Sequence, residues 1–137
     1  MRVYFDSSAF AKRYIDEAGT QEVIAWCDRA SVLALSVITV PELISAFCRL
    51  LREGRLSDGQ YRQIKNDLMA DIADAVICDT TPQVINHAVA MLERHPLRAM
   101  DAIHIGAALA WAAEVFVSAD ARQCAAATNV GLQVIAL

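Results

Sequence analysis

The chain has 137 residues, of which 56% are hydrophobic and 20% charged, and a net charge of −4. This is the length of one domain, residues 1–137, with more apolar side chains than an average soluble domain, which excludes a disordered chain and predicts a large core. The negative balance counts against a nucleic-acid partner, whose phosphates favour a basic surface, unless several of the acids are gathered around a cation.

Val3, Tyr4 and Phe5 form a short β-prone run ending at Asp6, and the stretches from Ser7 to about Asp16 and from Thr20 to about Arg29 are compatible with helix. Val32 to Ser36 reads as a second strand. Val40, Leu43, Ile44, Phe47, Leu50 and Leu51 then recur at helical spacing, which predicts an amphipathic helix, and Gly54 fits its C-terminal stop. Ser57 opens a further helix to about Asp71, and Ala75 to Cys78 is a third short strand. Thr81-Pro82 starts a helix that should stop before His95-Pro96, because the residue before proline disfavours helical geometry. Leu97 or Arg98 begins the next. From Ala99 to Ala113 the only strongly polar side chains are Asp101 and His104, so this helix should be buried on nearly every face. Val115 to Val117, a helix from about Ala121 to Thr128, and Leu132 to Ile135 complete the pattern.

Five short apolar strands separated by helices indicate an α/β domain, a parallel sheet with helices on both faces. The longest uncharged run, Gln123 to Leu137, contains Asn129 and Gly131, so no membrane span is expected. Asp6 falls before any signal-peptide apolar stretch could form, which predicts a cytoplasmic protein. Cys27, Cys48, Cys78 and Cys124 form no Cys-x-x-Cys pair and read as small apolar side chains in a reducing compartment.

In open α/β sheets, sites form at the carboxyl ends of strands where the strand order reverses. Asp6 follows the first strand and Asp120 the fourth, and an order of 3-2-1-4-5 would make these strands neighbours across that point. Each also suits a helix N-cap, with Gln123 completing a capping-box pattern after Asp120. Glu42 closes a Thr-x-x-Glu box with Thr39, yet helical spacing sets it away from the apolar stripe, on the side of Arg49. Asp101, in the first turn of an apolar helix, needs a cationic partner, either a metal ion or Arg98. His104 shares its face and reads as a hydrogen-bonded core residue. With these four acids set aside, the other twelve balance the twelve bases, ten of which are Arg, whose planar fork suits phosphate. Lys12, Arg13, Arg49 and Arg98 are candidate contacts for a phosphate backbone, each equally suited to solvated surface.

Asp6-Ser7-Ser8-Ala9-Phe10 resembles the opening motif of PIN domains, Pro41-Glu42-Leu43 with Arg49 their second acidic motif, Leu97 to His104 the third, and Ser118-Ala119-Asp120 the fourth. The resemblance spans nearly the whole chain and extends to VapC-type toxins of bacterial toxin-antitoxin pairs. It implies a PIN-like fold with five strands in the order 3-2-1-4-5, endoribonuclease activity, dependence on Mg²⁺ or Mn²⁺, a homodimer, and an antitoxin covering the active site. It also implies Asp6, Glu42, Asp101 and Asp120 as catalytic residues and ligands of the ion, some through water. Ser8 and Ser118 are expected to support them. A set of acids without Cys or His ligands agrees, since hard cations take oxygen ligands.

Competing readings meet specific obstacles. A response-regulator receiver needs an acidic pair after the first strand and a late lysine, but Ser7 follows Asp6 and the only lysines are Lys12 and Lys65. A haloacid-dehalogenase-type phosphotransferase needs an Asp where Ser8 stands. A PIN fold that only binds RNA or a protein remains an alternative, set against the presence of all four acids.

Overall fold

The computed structural model describes residues 1–137. Strand β1 (Arg2–Phe5) sends Tyr4 into one core and Val3 and Phe5 into the other, as period-two alternation requires. In β2 (Val32–Ser36) and β4 (Val115–Ser118), Ala34 and Phe116 join Tyr4, whereas Leu35, Val115 and Val117 join Val3 and Phe5. The short β3 (Val76–Cys78) and β5 (Gln133–Ala136) form the edges. All pairings are parallel, in the order β3-β2-β1-β4-β5. This is the expected arrangement, and burial on both faces explains why the central strands read as unbroken apolar runs.

Helices α1 (Ser7–Phe10), α2 (Thr20–Arg29), α3 (Thr39–Arg52) and α4 (Asp58–Asp74) cover one face, burying Phe10, Val23, Leu43, Phe47 and Leu68 against it. Helices α5 (Pro82–Arg94), α6 (Ala99–Ala110) and α7 (Ala121–Asn129) cover the other with Val84, Met91, Ile105 and a set of alanines. The α5–α6 approach is close enough to touch backbone. A Cβ on Gly106 would lie 2.6 Å from the Val84 carbonyl oxygen, so only glycine fits there.

Local signals set most boundaries. Ser57 and Gln60 form a reciprocal capping box, Thr81 caps α5 ahead of Pro82, and His95 ends it in extended geometry before Pro96. Gly54 follows the last residue of the α3 cap with φ +73°, the left-handed region glycine tolerates.

Two expectations fail. The helix expected from Ser7 to Asp16 stops at Phe10 and tightens into a 3-10 turn over Ala11–Arg13. Long-range bonds compete with helical ones here: Thr20 Oγ1 donates to the Lys12 carbonyl at 2.8 Å, and Arg13 and Tyr14 both reach Asp71. The Thr39–Glu42 capping box does not form either. Ile38 is the N-cap, Thr39 lies inside the helix with its hydroxyl buried and unpartnered, and the Glu42 carboxylate is turned elsewhere.

No helix is long and apolar enough to cross a membrane. All four cysteines are half-buried free thiols. On the outer side of α5, Ile85, Val89 and Leu92 form an exposed apolar stripe at helical spacing.

Candidate active site

Asp6 ends β1 and caps α1, accepting from the Ala9 N–H at 2.8 Å. Its carboxylate also accepts from Ser8 Oγ at 2.8 Å and Ser118 Oγ at 2.6 Å. Both hydroxyls are themselves acceptors, Ser118 from the Asp120 N–H at 3.0 Å and Ser8 from the Ala119 N–H at 3.0 Å. The turn after β1 is thereby stitched to the turn after β4, at the point where the strand order reverses. Asp6 is fully buried, and burial raises its carboxyl above the ordinary value, against the opposing pull of His104 and of the hydrogen bonds from Ser118, Ala9 and Ser8.

Glu42 reaches the same end of the sheet from the start of α3. Its Oε1 accepts from Ser7 Oγ at 2.7 Å and lies 2.7 Å from His104 Nε2. Burial would raise its carboxyl, but the hydrogen bonds from His104 and Ser7 outweigh that and hold it below the ordinary value. His104 is indeed a buried, hydrogen-bonded histidine, with Nδ1 3.0 Å from the Tyr4 hydroxyl. Yet its other nitrogen touches an acid of the candidate site.

Asp120 caps α7, accepting from the Arg122 and Gln123 N–H groups. The capping box with Gln123 closes only halfway, because the Gln123 amide donates to Asp101 Oδ1 at 3.1 Å instead. Asp101 and Asp120 share an open pocket with Arg98 and Arg122. Burial, then the charges of Asp120 and Glu42, keep Asp101 above the ordinary carboxylate range, although His104 and Arg98 pull the other way. Arg98 acts on Asp101 at a distance, and the ion pairs of the fold do not include the two.

All four acids thus occupy the carboxyl end of the sheet. As they stand, no three His, Cys, Asp or Glu side chains converge closely enough to hold a metal ion. The donor chemistry fits a hard divalent cation nonetheless. Every donor is a carboxylate or hydroxyl oxygen, and Asp101 and Asp120 repel each other across an open pocket.

The candidate RNA-contacting bases divide. Lys12 is paired with Glu17, and Arg13 is held by Asp71 through Nε at 2.8 Å and Nη2 at 3.2 Å, so both already serve the fold. Arg49 is exposed but lies two turns along α3 from Glu42, about 10 Å by helical rise. Arg98 borders the acids directly. Sequence reasoning missed Ser7, Gln123 as a partner of Asp101, and Arg122, whose position two residues after Asp120 was the available signal.

The chain belongs to the PIN domain family, whose model matches residues 3–129. A relative, Ribonuclease VapC45 of Mycobacterium tuberculosis (strain CDC 1551 / Oshkosh), is 31% identical over 108 residues, covering 79% of this chain and 75% of the relative. The fold is shared with Mycobacterium tuberculosis VapC20, described as a sarcin-ricin loop cleaving toxin, at a TM-score of 0.70 and 14% identity over 98% of this chain and 99% of that one. A toxin-antitoxin complex from Klebsiella pneumoniae also shares it, with a TM-score of 0.69, 16% identity, and 97% and 95% coverage.

Proposed function

We propose that the chain, as one nuclease unit over residues 1–137, is a divalent-metal-dependent endoribonuclease and the toxin of a toxin-antitoxin pair. The observation that carries this reading is the delivery of Asp6, Glu42, Asp101 and Asp120, from four separate elements, to the strand-order reversal. The ribonuclease relative and the toxin structures of the same fold support it.

Asp101 and Asp120 would hold a Mg²⁺ or Mn²⁺ ion, with Asp6 and Glu42 joining directly or through water. When bound, the ion supplies activation of water and neutralisation of charge on the scissile phosphate. Glu42, whose Oε2 makes no hydrogen bond in the fold, is placed to accept a proton from the attacking water. Ser8 and Ser118 fix Asp6, while Arg98 and Arg122 flank the pocket as positive groups for the neighbouring phosphates. Attack by water on phosphorus forms the new P–O bond as the bond to the 3′-oxygen breaks, leaving a 5′-phosphate and a 3′-hydroxyl. The 2′-hydroxyl takes no part.

The protein acts in the cytoplasm. An antitoxin segment covers the acidic pocket, and the Ile85, Val89 and Leu92 stripe is the surface on which two copies pair as a homodimer. Incubation of the protein with RNA in Mg²⁺, with an Asp6→Asn control, tests the central claim. Metal-dependent cleavage leaving 5′-phosphate ends is expected. Cleavage in excess chelator, or 2′,3′-cyclic phosphate ends, would overturn it, and absence of cleavage would favour a PIN fold that only binds.

A further inference from the structure

A chain of polar contacts runs inward from Glu42 to the centre of the sheet. Oε1 of Glu42 meets Nε2 of His104 at 2.7 Å, and Nδ1 of His104 meets the hydroxyl of Tyr4 at 3.0 Å. Both inner members are completely or almost completely buried, whereas the Glu42 side chain is 32% exposed. The chain therefore joins the wall of the cleft to the buried centre of the sheet. Tyr4 itself is fixed by stacking on Phe116, with ring centroids 5.7 Å apart.

The direction of the outer hydrogen bond follows from chemistry. Oε1 of Glu42 accepts from Ser7, and two acceptors cannot face each other at 2.7 Å, so the Nε2 position carries a proton and donates it. At the other nitrogen, Nδ1 lies within hydrogen-bond distance of the Tyr4 hydroxyl, which can donate or accept and so anchors the ring in the core. Ser7 donates to the same Oε1, which leaves Oε2 as the oxygen of Glu42 without a hydrogen bond in the fold.

We propose that His104, anchored in the core by Tyr4, is a positioning residue that clamps Oε1 of Glu42 and so presents Oε2 to the reacting water or its ion. This deepens the functional reading above and rests on Glu42 belonging to the active site. A glutamate has three rotatable side-chain bonds, and one donor from a core histidine and one from Ser7 restrict it to a single orientation before substrate arrives.

The test combines imidazole nitrogen NMR of the full chain with kinetics of His104→Leu, His104→Gln, Tyr4→Phe and Glu42→Gln in saturating Mg²⁺. The wild-type His104 ring is expected to carry a proton on Nε2, and Tyr4→Phe, which removes the inner anchor of the ring, should lower kcat by less than His104→Leu does. His104→Leu should lower kcat about 10–100-fold with little change in KM, the range for loss of a group that orients a ligand. His104→Gln, whose amide N–H can replace Nε2–H, should restore most of the loss. A wild-type ring with its only proton on Nδ1 overturns the proposal without reference to any variant's folding. So does a His104→Gln enzyme as impaired as His104→Leu, or a His104→Leu enzyme with full kcat. If Glu42→Gln is inactive in that last case, only the clamp is rejected. A fully active Glu42→Gln rejects the site reading beneath it.

Discussion

A carboxylate with no exposed surface survives because neighbouring groups donate to it, yet burial still lifts Asp6, and burial with neighbouring charge lifts Asp101. A carboxyl whose folded value lies above its unfolded value binds its proton more tightly in the native state. The stability it contributes is complete below the ordinary carboxylate range and is lost as pH rises through the folded value. Metal-free Asp6→Asn and Asp101→Asn should therefore melt above the wild type near neutral pH, with the difference closing in acid. Cleavage should fall roughly 100-fold or more in both, and Asp79→Asn, at an exposed position outside the pocket, should leave it unchanged. Thermal melts in chelator across pH, beside a cleavage assay, measure both halves. Arg98→Ala and Arg122→Ala should raise KM, each reducing the slope of log affinity against log salt by about 0.7 for a single strand. An unchanged slope would remove that arginine from the RNA path.

At the scale of elements, Gly106 sets the distance between α5 and α6. The atom that a Cβ would strike is the Val84 carbonyl oxygen, which is backbone and cannot rotate away. Gly106→Ala should cost about 1–3 kcal/mol in urea unfolding, and a neutral result would mean that the helices part easily. The elements legible in the sequence were those whose signals are local. Ser57 with Gln60, Thr81 with Pro82, and Asp120 with the N–H groups after it all lie within one helical turn. What escaped was decided across the chain. Glu42 is separated from Ser7 by 35 positions and from His104 by 62, so its apparent partner Thr39 lost to groups that only folding brings near. Gln123 likewise serves Asp101, 22 positions away, rather than the cap it seemed to complete. The placement of the four acids at one end of the sheet was readable because each sits at a strand end or helix start, which the apolar pattern marks.

For the molecule as a whole, a cation that binds only the folded state stabilises it by mass action, about 2.7 kcal/mol at a hundredfold excess over Kd. The melting temperature should rise with Mg²⁺ or Mn²⁺, and should respond far less in Asp101→Asn. Calorimetric titration showing no binding to the wild type would count against the metal site. Light scattering at micromolar concentration should find a dimer, and Val89→Lys should shift it towards monomer. The strand order has a further consequence, in time. Strand β1 is the first to be synthesised, but it lies between β2 and β4, and the hydrogen bond that locks Asp6 comes from Ser118, 112 positions later. At about 5–20 residues per second, that interval is on the order of ten seconds on the ribosome. A nascent chain that has not yet reached β4 carries Asp6 without the strand that completes its surroundings, so the candidate site assembles only after Ser118 has been made.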